Sequence, residues 1–129
     1  MIDCANQSLH RAYLQQRLDN YALEPTAQFI ATTNPYGVAG FERYTGSDVE
    51  VHYGGEPGFL RKSFLRACAR YVFVQLQCDR ITGRIPANRP EAIRLGERLG
   101  FRHEGTLRRA YKGTDILIFG MLKEECRWL

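Results

Sequence analysis

Hydrophobic and polar positions change period several times along the chain, and each change marks an element. Over residues 8–23 the apolar positions fall at helical spacing. Leu14, Leu18, Tyr21 and Ala22 share one face, Arg11, Gln15 and Asp19 lie off it, and Ser8 stands where an N-cap is expected. Glu24-Pro25-Thr26 stops that helix. Residues 28–33 are β-rich, and Asn34-Pro35-Tyr36-Gly37 is a turn signal leading into a second strand over 38–44. After Thr45-Gly46-Ser47 the chain alternates strictly, with Val49, Val51 and Tyr53 on one side of a strand and Asp48, Glu50 and His52 on the other. Gly54 to Gly58 breaks it. Residues 59–76 return to helical spacing through Leu60, Phe64, Ala67, Cys68, Tyr71 and Val72.

The second half is the more sharply punctuated. A β-favouring run over 81–85 ends at Pro86. Asn88 followed by Pro90 and Glu91 reads as a capping-box-like start, and Ala92, Leu95, Gly96 and Leu99 then line a helix that Gly100 caps in the left-handed conformation. Strands over 106–111 and 116–122 flank a Lys112-Gly113-Thr114-Asp115 turn. The tail, 123–129, is expected to fray, with Trp128 able to tuck against the body. The order is helix, three antiparallel strands, helix, strand, helix, hairpin. The helical crossover over 59–76 makes the strands around Val51 and Thr82 parallel neighbours.

Composition narrows this little. At 129 residues, 44% hydrophobic and 25% charged, the chain reads as one domain over 1–129 with a real core. No apolar run approaches membrane-spanning length and no signal peptide is apparent, so the expected location is cytoplasmic, without a membrane partner. Cys4, Cys68, Cys78 and Cys126 are too scattered for a metal knuckle and read as reduced structural thiols. The formal charge of +4 is concentrated in 61–70 and 80–109, which favours an anionic partner or simply a soluble surface. A nucleic-acid partner is the weakest of these, because the arginines lack interleaved aromatics.

The candidate chemistry gathers on two stretches. Glu50 and His52 alternate onto one strand face, with Glu42 on the preceding strand as a third group that could exchange protons; taken one at a time, each reads more readily as a solvent-facing polar residue of a half-buried sheet. Gly54, Gly55 and Gly58 followed by Arg61, Lys62 and Ser63 form a strand-to-helix turn whose amides could meet an anion, although Glu56 adds negative charge and Pro57 removes a donor. Lys62, Arg66 and Arg70 stand four apart on the next helix.

Asn88, Ala92, Leu95, Leu99, Gly100, Phe101, Glu104 and Gly105, the phrase N-x-x-x-A-x-x-L followed by L-G-F-x-x-E-G, resemble the C-terminal half of the GNAT acyltransferase superfamily, nearest to the branch acting on ribosomal-protein N-termini. With the elements upstream the resemblance covers roughly residues 27–124. It implies an α/β (α+β) fold: a mixed, mostly antiparallel sheet of about six strands, with a parallel splayed pair in the middle and about three helices. It also implies acetyl-CoA as cosubstrate, its pantetheine on the strand edge at Val51 and Tyr53, its phosphates near Gly58, Arg61 and Lys62, and its arm near Asn88. The expected reaction is direct acetyl transfer to an amine (a protein N-terminus, a lysine or a small amine), with Glu50 first and His52 second as base and no metal. Departures from the family are a degenerate phosphate turn, a short N-terminus with its usual first strand missing or reduced to residues 1–5, and Gly96 where many relatives carry an acidic tyrosine. Tyr53 and Tyr111 are the available substitutes. These departures keep open a catalytically silent GNAT-fold protein with a binding or assembly role, and leave self-association open as well.

Overall fold

A computed structural model describes residues 1–18 and 21–129. Seven strands form one sheet in these residues: β1 (Ile2–Asp3), β2 (Gln28–Thr32), β3 (Gly37–Glu42), β4 (Asp48–Gly55), β5 (Arg80–Pro86), β6 (Arg102–Tyr111) and β7 (Thr114–Leu122). Three helices accompany them, α1 (Gln7–Arg17), α2 (Lys62–Arg70) and α3 (Pro90–Leu99). The sheet order is β1-β2-β3-β4-β5-β7-β6, antiparallel throughout except for the parallel pair β4 and β5. The expected first strand is present but reduced to two residues, which raises the strand count to seven. Gln7 at the start of α1 extends the edge protection: its side-chain amide donates to the Phe29 carbonyl and accepts from the Phe29 N–H, at 2.8 and 2.9 Å, where β1 no longer covers β2.

Alternation in the strands divides the core. On one face α1 packs Leu14 against Phe29, Ala31 and Val38; on the other, α2 and the turn that follows it set Phe64, Ala69, Val72 and Phe73 against Ile30, Phe41, Val49 and Val51. The helix expected over 59–76 is in two pieces, because after Arg70 the backbone widens into a π-turn over Tyr71–Gln75, closed by the Leu76 N–H on the Tyr71 carbonyl. Lys62, Arg66 and Arg70 are exposed, as expected of a solvated face.

Several expected boundaries move. Ser8 lies inside α1, whose N-cap is Asn6, and neither residue supplies a side-chain cap; the helix ends at Arg17 rather than near 23, and Asp19 falls outside the described residues. The capping box at Asn88 does not form. Its helix begins one residue later than the motif requires, with Arg89 at the N-cap, so the exposed Asn88 lies too far upstream to reach the first-turn amides. Gly100 behaves as expected, at φ 110° with the Phe101 N–H returning to the Gly96 carbonyl.

The tail is tied down rather than frayed. The Trp128 indole donates to the Leu99 carbonyl at 2.9 Å, satisfying one orphan acceptor at the end of α3, and Arg127 donates to the Arg98 carbonyl. Trp128→Ala is therefore expected to cost about 2 kcal/mol in denaturant unfolding, less than a fully enclosed tryptophan because the ring is half-buried. An unchanged midpoint would mean that the tail does not pack.

Candidate active site

The parallel pair opens into a fork. β4 and β5 keep register from Asp48↔Arg80 to Val51↔Gly83 and then part. Beyond that point each strand stays with its outer neighbour, β4 with β3 to Gly55↔Gly37 and β5 with β7 to Pro86↔Ile116. The Glu56 N–H donates to the Tyr36 carbonyl, which extends the β3–β4 register by one bonded pair. Because bonded pairs alternate along an antiparallel ladder, the His52 and Gly54 amides face β3 while those of Tyr53 and Gly55 face the gap. The close approach of Gly37 and Gly55 agrees with this: a Cβ on Gly55 would stand 2.7 Å from the Gly37 Cα. The fork thus presents a strand edge with outward amides.

Side chains make the gap a passage through the sheet. Val51, Tyr53, Gly83, Ile85, Gly96 and Phe119 line a cavity of about 160 Å³, and His52, Arg17 and Arg84 line both this cavity and an adjoining one of about 120 Å³ beside Tyr21 and Tyr111. Gly96 keeps α3 close: a Cβ there would meet Ile85 Cδ1 at 3.3 Å. Burial pushes the Tyr53 phenol up to about 12, so it stays protonated at neutral pH.

Behind His52 lies a buried charged cluster. Glu42 and Glu50 are register partners on β3 and β4, and the His52 Nε2 stands 2.7 Å from a Glu42 oxygen and 3.2 Å from one of Glu50. The Tyr21 hydroxyl donates to Glu50 at 3.3 Å, and the Arg43 guanidinium approaches the same oxygen at 3.6 Å. Tyr21 is held by Gln15, whose amide donates to the Tyr21 carbonyl, and its ring lies 4.9 Å from that of His52. The second Glu42 oxygen accepts the Glu24 N–H at 2.8 Å. The carboxylates and imidazole could serve as a divalent-cation ligand set, their donor atoms lying within 4.8 Å of one another, but the hydrogen bonds among them already satisfy the ring nitrogen.

Burial alone would lower the His52 pKa, but hydrogen bonds to Glu42 and Glu50, and their charges, outweigh it and raise it above 6.5. Burial likewise works against the Glu42 carboxylate, yet His52 and the Glu24 N–H bring it below 4.5. The signs follow by linkage. The raised His52 value stabilises the fold fully below about 6.5 and is lost as pH rises through the folded value; the lowered Glu42 value stabilises above about 4.5 and is lost as pH falls through its folded value. Stability to denaturant is expected to decline as pH rises above about 6.5, and His52→Gln is expected to flatten that decline. An identical decline in the variant would assign it elsewhere.

Of the residues singled out in the sequence, Val51, His52 and Tyr53 meet at the fork, and Glu50 stands immediately behind His52. Gly58 (φ 86°) and Arg61 sit beyond the end of β4, in the turn into α2, and Lys62 is the first residue of that helix. The Arg61 guanidinium is held by the Thr33 and Asn34 carbonyls, one at 2.7 Å. Asn88 is exposed outside the cleft, which its neighbour Arg89 lines. Arg17, Tyr21 and Arg84 were not singled out for the site. Arg84 follows from the register: Glu50 pairs with Thr82, so two residues on Arg84 and His52 stand on the same side of the sheet across the fork.

No family model matches the sequence, and no curated protein matches it. Solved structures do. A variant of spermidine N-acetyltransferase SpeG from Vibrio cholerae superposes with a TM-score of 0.78 at 13% identity, covering 100% of this chain and 97% of that one. The dodecameric structure of spermidine N-acetyltransferase from the same organism gives 0.73 at 12%, covering 96% and 94%. An acetyltransferase (GNAT family) from Bacillus anthracis gives 0.57 at 21%, covering 69% and 59%. The chain therefore has the GNAT fold, a mostly antiparallel sheet with one splayed parallel pair. Among the described residues no helix is long and apolar enough to cross a membrane.

Proposed function

We propose that the chain is an acetyl-CoA-dependent N-acetyltransferase acting by direct transfer. The observation that carries this reading is the passage at the fork, which joins an edge of outward amides to a buried proton-accepting cluster. The thioester arm would lie along β4 with the Tyr53 and Gly55 amides beside it, Val51 at its inner end, and the pyrophosphate toward Gly58, Lys62 and the first amides of α2. The amine would enter from the α1 side, past Tyr21.

With its Nε2 held by the carboxylates, the imidazole meets the amine through Nδ1. The amine nitrogen bonds to the acetyl carbonyl carbon as the C–S bond breaks; the amine proton passes to His52, and the departing thiolate takes a proton from solvent or from the imidazolium. The outward Tyr53 amide is placed to stabilise the developing oxyanion. Tyr53 itself, with a phenol at about 12, donates a hydrogen bond to sulfur rather than a proton. Glu42 and Glu50 hold the ring and stabilise the imidazolium, so His52 stands ahead of Glu50 as the group that touches substrate. A thiol-release assay with acetyl-CoA and a panel of amines tests this: amine-dependent release of CoA is expected, and its absence across amino acids, peptides, amino sugars and polyamines would sink the reading.

One observation favours the silent alternative. Arg61 is engaged by the Thr33 and Asn34 carbonyls, which leaves the phosphate turn with fewer available cations. That alternative requires CoA binding without turnover, or no binding at all.

A further inference from the structure

The acceptor side of the cleft carries a charge pattern that selects among amines. Resting on the acetyltransferase reading above, we propose that the acceptor is a small zwitterion, an amine that also bears a carboxylate or phosphate, and not a polyamine. His52, backed by Glu42 and Glu50, forms one side of the cavity next to Tyr21 and receives the nitrogen. Arg84 faces it from β5, and Arg17 and Arg89 line the same space. The Arg84 Nε is enclosed yet meets no hydrogen-bond partner among the described residues. A buried donor of this kind is costly to leave unmade, and an oxygen of an anionic substrate would complete it. The Arg17 guanidinium is stacked 4.4 Å over the Tyr13 ring, a position that leaves its N–H edge able to donate.

The cavity is therefore lined by groups of opposite character: His52, backed by Glu42, Glu50 and the Arg43 that pairs with Glu50, and the Arg84, Arg17 and Arg89 side chains. A polyamine would satisfy His52 and bring a second ammonium into a cavity lined by arginines, where like charges are unfavourable. An amine with one anionic group satisfies both, with Arg84 as the specificity-determining residue.

The test uses matched pairs that differ in the anionic group: ornithine against putrescine, histidine against histamine, and phosphoethanolamine against ethanolamine. By thiol release, the carboxylate- or phosphate-bearing member of at least one pair is expected to show a kcat/KM roughly 10–100-fold higher, the range of a charged hydrogen bond. Arg84→Gln is expected to remove that preference, and Arg84→Lys to retain part of it. The first two pairs against the third separate a carboxylate site from a phosphate site. Equal or better turnover of the members lacking the anion, or a preference that survives Arg84→Gln, would overturn the inference while leaving acetyl transfer intact.

If no acceptor is turned over, the acetyltransferase reading fails, and calorimetry with the same pairs and no acetyl-CoA still decides this one. Binding of the anionic members, weakened in Arg84→Gln, supports it. Binding that ignores the anion, or none at all, overturns it. Should Arg84→Gln fold poorly, Arg17→Gln gives a second, smaller loss of the same preference.

Discussion

His52→Ala is expected to lower kcat/KM for acetyl transfer by about 10²–10⁴-fold, the range of a positioned proton acceptor. Acetyl-CoA affinity should be retained, because the imidazole lies against Tyr21, on the side proposed for the amine. In the wild type, kcat/KM should rise with pH through the His52 value, which its carboxylate partners place above 6.5, because only the neutral ring can take the amine proton. The variant should lose that limb. A rate unchanged in His52→Ala would move the base to Glu50 or to solvent.

Glu42→Ala is expected to have the largest effect on stability, about 3–5 kcal/mol by denaturant unfolding, because it breaks a fully buried ion pair. It also removes the acceptor of the Glu24 N–H and so loosens the segment leading toward Tyr21. Glu42→Gln keeps an acceptor for that amide and should cost less. The conservative variant also separates support from chemistry. Without the Glu42 charge the His52 pKa falls, so the rising limb of the pH–rate profile should shift to lower pH, which a purely structural role would not produce. A stability change below about 1 kcal/mol in Glu42→Ala would contradict the buried-pair account.

Much of the fold was readable because its signals are local. Alternation from Asp48 to Tyr53 assigned both faces of β4 correctly, and Gly100 marked the end of α3 by a backbone requirement that only a neighbouring residue or two determines. The misplaced caps at Ser8 and Asn88 show the limit of such signals. A capping residue matters by its exact distance from the first amide, and a shift of one or two residues leaves the pattern intact while removing the bond. The tail was misjudged because its anchors are distant in sequence: Trp128 reaches Leu99, and Arg127 reaches Arg98.

The site divides in the same way. Glu42, Glu50 and His52 could be named from strand alternation, but their burial and mutual contact depend on the β3–β4 register, which places Glu42 opposite Glu50. The fork was expected through the family resemblance alone, since it is the place where β4 and β5 follow different neighbours and no local pattern marks it. Arg84 becomes visible only after the parallel register is known. Gly96, read from the sequence as a missing acid, has a structural part as well, letting α3 approach Ile85 beside the cleft.

Isothermal titration calorimetry with acetyl-CoA tests the central claim most directly, because everything proposed for the fork requires it to hold that molecule. Saturable binding in the micromolar range, displaced by CoA, is the predicted result. No heat and no thermal shift with acetyl-CoA at millimolar concentration would contradict it.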